Sequence, residues 1–121
     1  MMKFIKMNKN KNLIENKIKN YFSFFSKKNL EKLADLFSSS IILQDWTTKL
    51  KGKAKVKKFN SKLFKKFKKI EVNLKESFFD NTKMTVACRL KIKLDNKKID
   101  VVDIIYFDKK FKIKKIIAYL G

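Results

Sequence analysis

The sequence predicts an α+β domain in which three helices pack into a curved, mainly antiparallel sheet. Two observations point there. Up to Lys69 the apolar residues recur at helical spacing, and beyond it the period changes to two and holds to the C-terminus. A third bears on function. In the strand from Ile99 to Phe107, the residues Ile99, Val101, Asp103, Ile105 and Phe107 share one face, which directs a carboxylate among four large apolar side chains. A buried carboxylate costs several kcal/mol unless it is paired, hydrogen-bonded or protonated, so Asp103 is either satisfied structurally or used.

Residues 1–11 are rich in Lys and Asn and read as a disordered basic arm, leaving residues 12–121 as a single domain. From Leu13 onward, Ile14, Ile18, Tyr21, Phe22 and Phe25 make one stripe of a helix ending near Ser26. Lys27 and Lys28 break the stripe and Asn29 is placed to cap a second short helix lined by Leu30, Leu33, Ala34 and Phe37. A turn is expected over Ser38–Ser40. Ile41–Asp45 is a short strand with Ile41, Leu43 and Asp45 on one face, followed by Trp46 and a loop over Thr47–Lys51. Gly52 leads into a third helix with Val56, Phe59, Leu63 and Phe67 inward and lysines elsewhere. Four longer strands follow as a meander. Ile70, Val72 and Leu74 alternate in the first, and Met84, Val86, Cys88, Leu90, Ile92 and Leu94 face one way in the second. The third carries Asp103. The last runs from Phe111 to Leu120, where Lys114-Lys115 interrupts the alternation and predicts a bulge.

Composition excludes much chemistry. The chain has no histidine and a single cysteine, Cys88, so imidazole relays, His-ligated zinc, cysteine metal clusters and disulfides are out of reach, and neither metal nor cofactor is expected. The formal charge of +21 suggests a polyanionic partner. Against nucleic acid stand a single arginine, Arg89, and lysines dispersed over the whole chain without a clustered footprint. The lysines read as a solvated coat in a chain whose Lys, Asn, Ile and Phe excess has the character of compositional drift. No apolar run approaches 18 residues, so no transmembrane segment is expected, and a reducing, cytoplasmic setting follows.

Three polar groups project from apolar faces: Tyr21, Asp45 and Asp103. A phenol and two carboxylates can move a proton next to a carbonyl, one carboxylate taking it while the other two groups donate to the developing oxyanion. Other uses fit the same residues, since Asp45 can instead cap the backbone at Thr47-Thr48. Trp46, Val101, Ile105, Phe59 and Leu63 are expected to line the pocket, and Cys88 to be a small core residue.

The segments NYFSFFSKKNLEKLADLF, IILQDW, KGKAKVKKF and VVDIIYFDKKFKIKKIIAYLG resemble the SnoaL-like members of the nuclear transport factor 2-like superfamily, nearest to their ketosteroid isomerase-like branch. The resemblance spans roughly residues 13–121 and implies a cone-shaped fold around an apolar pocket. It implies that Tyr21 is an oxyanion donor, Asp45 a general base and Asp103 the protonated acid sharing the oxyanion hole, as in the steroid isomerase that is a standard case of a carboxylic acid kept neutral by its site. Two departures narrow the substrate. Trp46 stands where the steroid enzymes carry proline, and the Asp-Arg-Asp set of the epoxide hydrolases is missing, with Arg89 on the outer face and Lys91 where a carboxylate is needed. The expected partners are a small hydrophobic or carbonyl-bearing ligand and a second copy of the chain; a non-catalytic binding or dimerisation module, pairing two subunits through the sheet exterior, is the alternative reading, and electrostatic binding to nucleic acid or anionic lipid a second alternative.

Overall fold

The computed structural model describes residues 2–121. Its elements are α1 (Met2–Ser26), α2 (Leu30–Asp35), β1 (Phe37–Gln44), β2 (Lys49–Lys51), α3 (Lys53–Lys66), β3 (Ile70–Asp80), β4 (Thr85–Leu94), β5 (Lys97–Phe107) and β6 (Ile113–Leu120). The strands form one sheet in the order β2-β1-β6-β5-β4-β3. All neighbours are antiparallel except β1 and β6, which run parallel.

Helix α1 lies across the inner face of the sheet and buries Ile14, Ile18, Tyr21 and Phe22, the stripe that the spacing predicts. The helix begins at Met2, so residues 2–11 are helical where a disordered basic arm was expected. Lysine is a good helix former and nothing between Met2 and Ser26 breaks the helix, which lets it propagate backward from its anchored half. Asn10 also donates to Asn81 Oδ1 in the β3–β4 turn (3.2 Å) and ties the extension to the sheet. At the other end Ser26 Oγ accepts the Val72 amide (3.0 Å) and Lys28 Nζ donates to the carbonyls of Phe67 and Lys68. Asn29 caps α2 as expected, accepting from the Lys32 amide.

Three local expectations give way to strand pairing. Ser38–Ser40 lie within β1 rather than in a turn, and Phe37 opens that strand instead of closing α2. Serine's turn preference loses to the β6 edge, although the pairing is irregular there, shifting register between Phe37 and Ile42. Lys49–Lys51 form β2, which pairs back on β1. The stripe that α3 buries is Val56, Asn60 and Phe64, one position round from the stripe expected, while Phe59, Leu63 and Phe67 are half-buried beside it.

Two bulges set the faces of the sheet. Tyr106 faces Lys115 and Phe107 faces Ile113, so Lys114 is an extra residue and the interruption predicted in β6 is present. In β3, Leu74 faces Leu90 and Glu76 faces Arg89, so Lys75 is extra. That insertion reverses the alternation, putting Ser77 and Phe79 inward and leaving Phe78 outside at 64% exposure.

Candidate functional site

The inner face of the sheet resolves into rows. Leu43, Ile116, Ile105 and Val86 are cross-strand neighbours and form one fully apolar row. In the next row Cys88 faces Asp103 and Asp103 faces Ala118. Gln44 pairs with Ile117, which brings Asp45 off the end of β1 at the level of Ala118. The two carboxylates therefore stand on either side of Ala118, with backbones two strand spacings or about 10 Å apart. The following row holds Val101 and Leu90.

Above this row lies a cavity of about 120 Å³, covered by α1 and α3. Tyr21, Phe22 and Phe25 reach it from α1, Phe59, Asn60 and Leu63 from α3, and Asp45 and Trp46 from the loop that follows β1. Trp46, 49% exposed, sits at the opening. Of the residues expected to line the pocket, Trp46, Val101, Phe59 and Leu63 do so. Ile105 does not. It belongs to the apolar row below Asp103 and is fully buried, while Ile116 beside it borders the cavity.

Burial governs the electrostatics. Asp103 is 8% exposed, and desolvation pushes its carboxyl pKa up from 3.8 to about 7. Tyr21 is raised well above 10.0, first by burial and then by the charges of Asp103 and Cys88. Burial and then Asp103 push the Cys88 thiol up to about 12, so Cys88 stays an unreactive thiol behind the acid. Below about pH 7 the interior of the site thus presents hydroxyl and carboxyl protons as donors.

Asp45 does both things that its position allows. Its Oδ1 accepts the Thr47 amide (2.8 Å), the Thr48 amide (2.7 Å) and the Thr47 hydroxyl (3.1 Å), the capping arrangement that the sequence admits. It also lines the cavity, and Oδ2 takes no part in those bonds. Arg89 stays outside, on the opposite face, paired with Glu76 at 2.8 Å.

Asn60 is the residue that sequence reasoning missed. It is 3% exposed and borders the cavity from α3. The only available signal was its place four residues from both Val56 and Phe64. Among the described residues, no side-chain hydrogen bond involves Tyr21, Asn60 or Asp103. No fully enclosed side-chain nitrogen or oxygen lacks a partner. The polar ends of these three residues therefore meet the open space of the cavity.

No family model and no curated protein matches the chain. The fold itself is that of the nuclear transport factor 2-like α+β cones. An NTF2-like protein of unknown function from Exiguobacterium superposes with a TM-score of 0.76 at 20% identity, over 87% of this chain and 98% of that one. A SnoaL-like protein of unknown function from Burkholderia thailandensis gives 0.79 at 8% identity, over 89% and 93%. A candidate ketosteroid isomerase from Kribbella flavida gives 0.76 at 12% identity, over 89% and 77%. Among the described residues no helix is long and apolar enough to cross a membrane, and no cluster of His, Cys, Asp or Glu is placed to hold a metal ion.

Proposed function

We propose that the cavity binds a small hydrophobic, carbonyl-bearing molecule and catalyses isomerase-type proton transfer on it. The observation that carries this reading is the row itself: a buried carboxyl that holds its proton up to about pH 7, lining the cavity with a tyrosine and separated by one alanine from a carboxylate with a free oxygen. In a β,γ-unsaturated ketone, Asp45 Oδ2 removes a proton from the carbon between the carbonyl and the double bond. The electron pair moves onto the carbonyl oxygen, which accepts hydrogen bonds from Tyr21 and protonated Asp103. Asp45 returns the same proton to the γ-carbon, the electrons flow back, and the conjugated ketone results with no net gain or loss of atoms.

Asp45→Asn is expected to abolish turnover while leaving ligand binding and the melting temperature almost unchanged, because an amide oxygen can still accept the Thr47 and Thr48 amides. Turnover surviving in this variant, or lost together with binding and stability, defeats the assignment.

The outer face of the sheet supports a second reading, pairing of two copies. Val102, Ile104 and Tyr106 of β5 lie beside Ile117 and Tyr119 of β6, with no helix over them, and Tyr119 is 54% exposed. An apolar band of this kind on a chain of +21 is consistent with a homodimer interface.

A further inference from the structure

We infer that the ligand is a neutral, single-ring molecule with two hydrogen-bonding oxygens, one held by Tyr21 and Asp103 and the other by Asn60. This names the substrate class for the reaction proposed above and takes from that reading the orientation of the carbonyl.

Size is the first argument. A cavity of about 120 Å³ is close to the ~150 Å³ void that accommodates benzene and well short of the ~300–1,000 Å³ of drug-sized pockets. One ring fits between the helices and the row of Ala118, whereas a fused four-ring skeleton would have to extend out of the cavity into solvent. Charge is the second. Among the described residues no Lys or Arg side chain lines the cavity, while the two carboxylic acids that do are Asp45 and Asp103. An anionic ligand would be desolvated beside Asp103 with no cation to meet it. A cationic ligand would have to enter a protein of charge +21 and, below about pH 7, displace the proton of Asp103 to gain an ion pair there.

Asn60 is the third. Its amide is buried, faces the cavity from α3, and is bonded to no other side chain among the described residues, so it presents both a donor and an acceptor to whatever fills the space. Asn60 comes from α3 and Asp103 from β5, so the amide and the carboxyl reach the cavity from different walls and no hydrogen bond joins them among the described residues. A ring carrying two oxygens can meet the Asn60 amide on the helix side and Asp103 on the sheet side of the same cavity.

The test is a matched series of phenols, planar mimics of an enol, titrated by calorimetry: 4-ethylphenol, 4-(hydroxymethyl)phenol, 4-hydroxybenzoate and 4-(aminomethyl)phenol. The hydroxymethyl compound is expected to bind about threefold to tenfold tighter than the ethyl compound, and the carboxylate and ammonium compounds at least about tenfold weaker than either. Asn60→Leu and Asn60→Ala should each abolish the hydroxymethyl preference while retaining 4-ethylphenol. Tighter binding of either ion, an undiminished preference in both Asn60 variants, or no binding by any member overturns the inference. Conversion of cyclohex-3-en-1-one to cyclohex-2-en-1-one, followed by ultraviolet absorbance, reads the reaction separately. Selective binding without that conversion leaves the ligand class standing and defeats the isomerase reading.

Discussion

Replacing Asp103 by Asn separates the energetic cost of the site from its use. The folded carboxyl titrates near 7 and an unperturbed one at 3.8. Between those values the native state holds a proton that the unfolded chain has released. Stability contributed by this group is therefore complete below about pH 4 and is lost as pH rises through 7. The difference corresponds to a penalty on the order of 4 kcal/mol at pH 8, a large share of a domain's total stability. Asn has nearly the same shape and does not ionise. Urea denaturation of both proteins from pH 4 to 8 should give curves that nearly coincide at pH 4, diverge up to about pH 7 and then run parallel, with the variant more stable by a few kcal/mol at pH 8. The other ten carboxyl side chains contribute to both curves and cancel in the difference. The same proton limits activity: turnover should fall above about pH 7 in the parent, and the Asn variant, which keeps an N–H donor, should lose that limb. Parallel stability curves across the whole range would refute the account, because they would mean that the carboxyl is solvated.

Two further perturbations probe the row and the outer face. Ala118→Leu places a branched side chain between the two carboxylates, into the cavity and away from the buried row beneath. It should weaken 4-ethylphenol binding more than about tenfold while changing stability by less than about 1.5 kcal/mol, and unchanged affinity would show that the ligand does not cross this row. Ile104→Lys adds a charge at the centre of the outer apolar band. Sedimentation velocity should show a dimer for the parent and a monomer for the variant, and a parent that is monomeric at all concentrations removes the pairing reading.

The faces of the sheet were legible in the sequence because alternation reports them directly, and Asp103 emerged from counting alone. What counting did not reach were effects set by partners distant in sequence. Lys75 reverses the alternation of β3, and its trace in the sequence is only that Leu74 and Phe79 cannot share a face of a regular strand. The inner stripe of α3 was misplaced by one position because Phe59, Leu63 and Phe67 form as good an apolar line as Val56 and Phe64. An asparagine in a lysine-rich helix reads as solvated until the sheet is seen opposite it. Ile105 was assigned to the pocket as a neighbour of Asp103 along the strand. The cavity opens to the other side, toward Val101, a direction decided by how α1 and α3 cross the sheet. The facing of Asp45 and Asp103 across Ala118 depends on the parallel pairing of β1 with β6, which no local pattern encodes.

The rim of the cavity gives the clearest separation between drift and requirement in this chain. A composition that supplies lysine at solvated positions should place it wherever a side chain can reach water, since the long stem lies along apolar surface while the ammonium stays wet. On α3 it does so at Lys57, Lys58, Lys62, Lys65 and Lys66. Phe59 and Leu63 lie between those lysines and are only half-buried; Phe59 packs against the core, but Leu63 does not and could carry a lysine at little cost to the fold. So could Trp46, which is largely outside the core. These three positions instead hold large apolar side chains, and all three line the cavity. Core packing accounts for Val56, Phe59 and Phe64, but not for Leu63 or Trp46 beside a lysine-coated helix. A cavity that must admit a neutral, apolar ring past a strongly positive surface does account for them, because each ammonium at the mouth would have to be displaced or desolvated as the ligand enters.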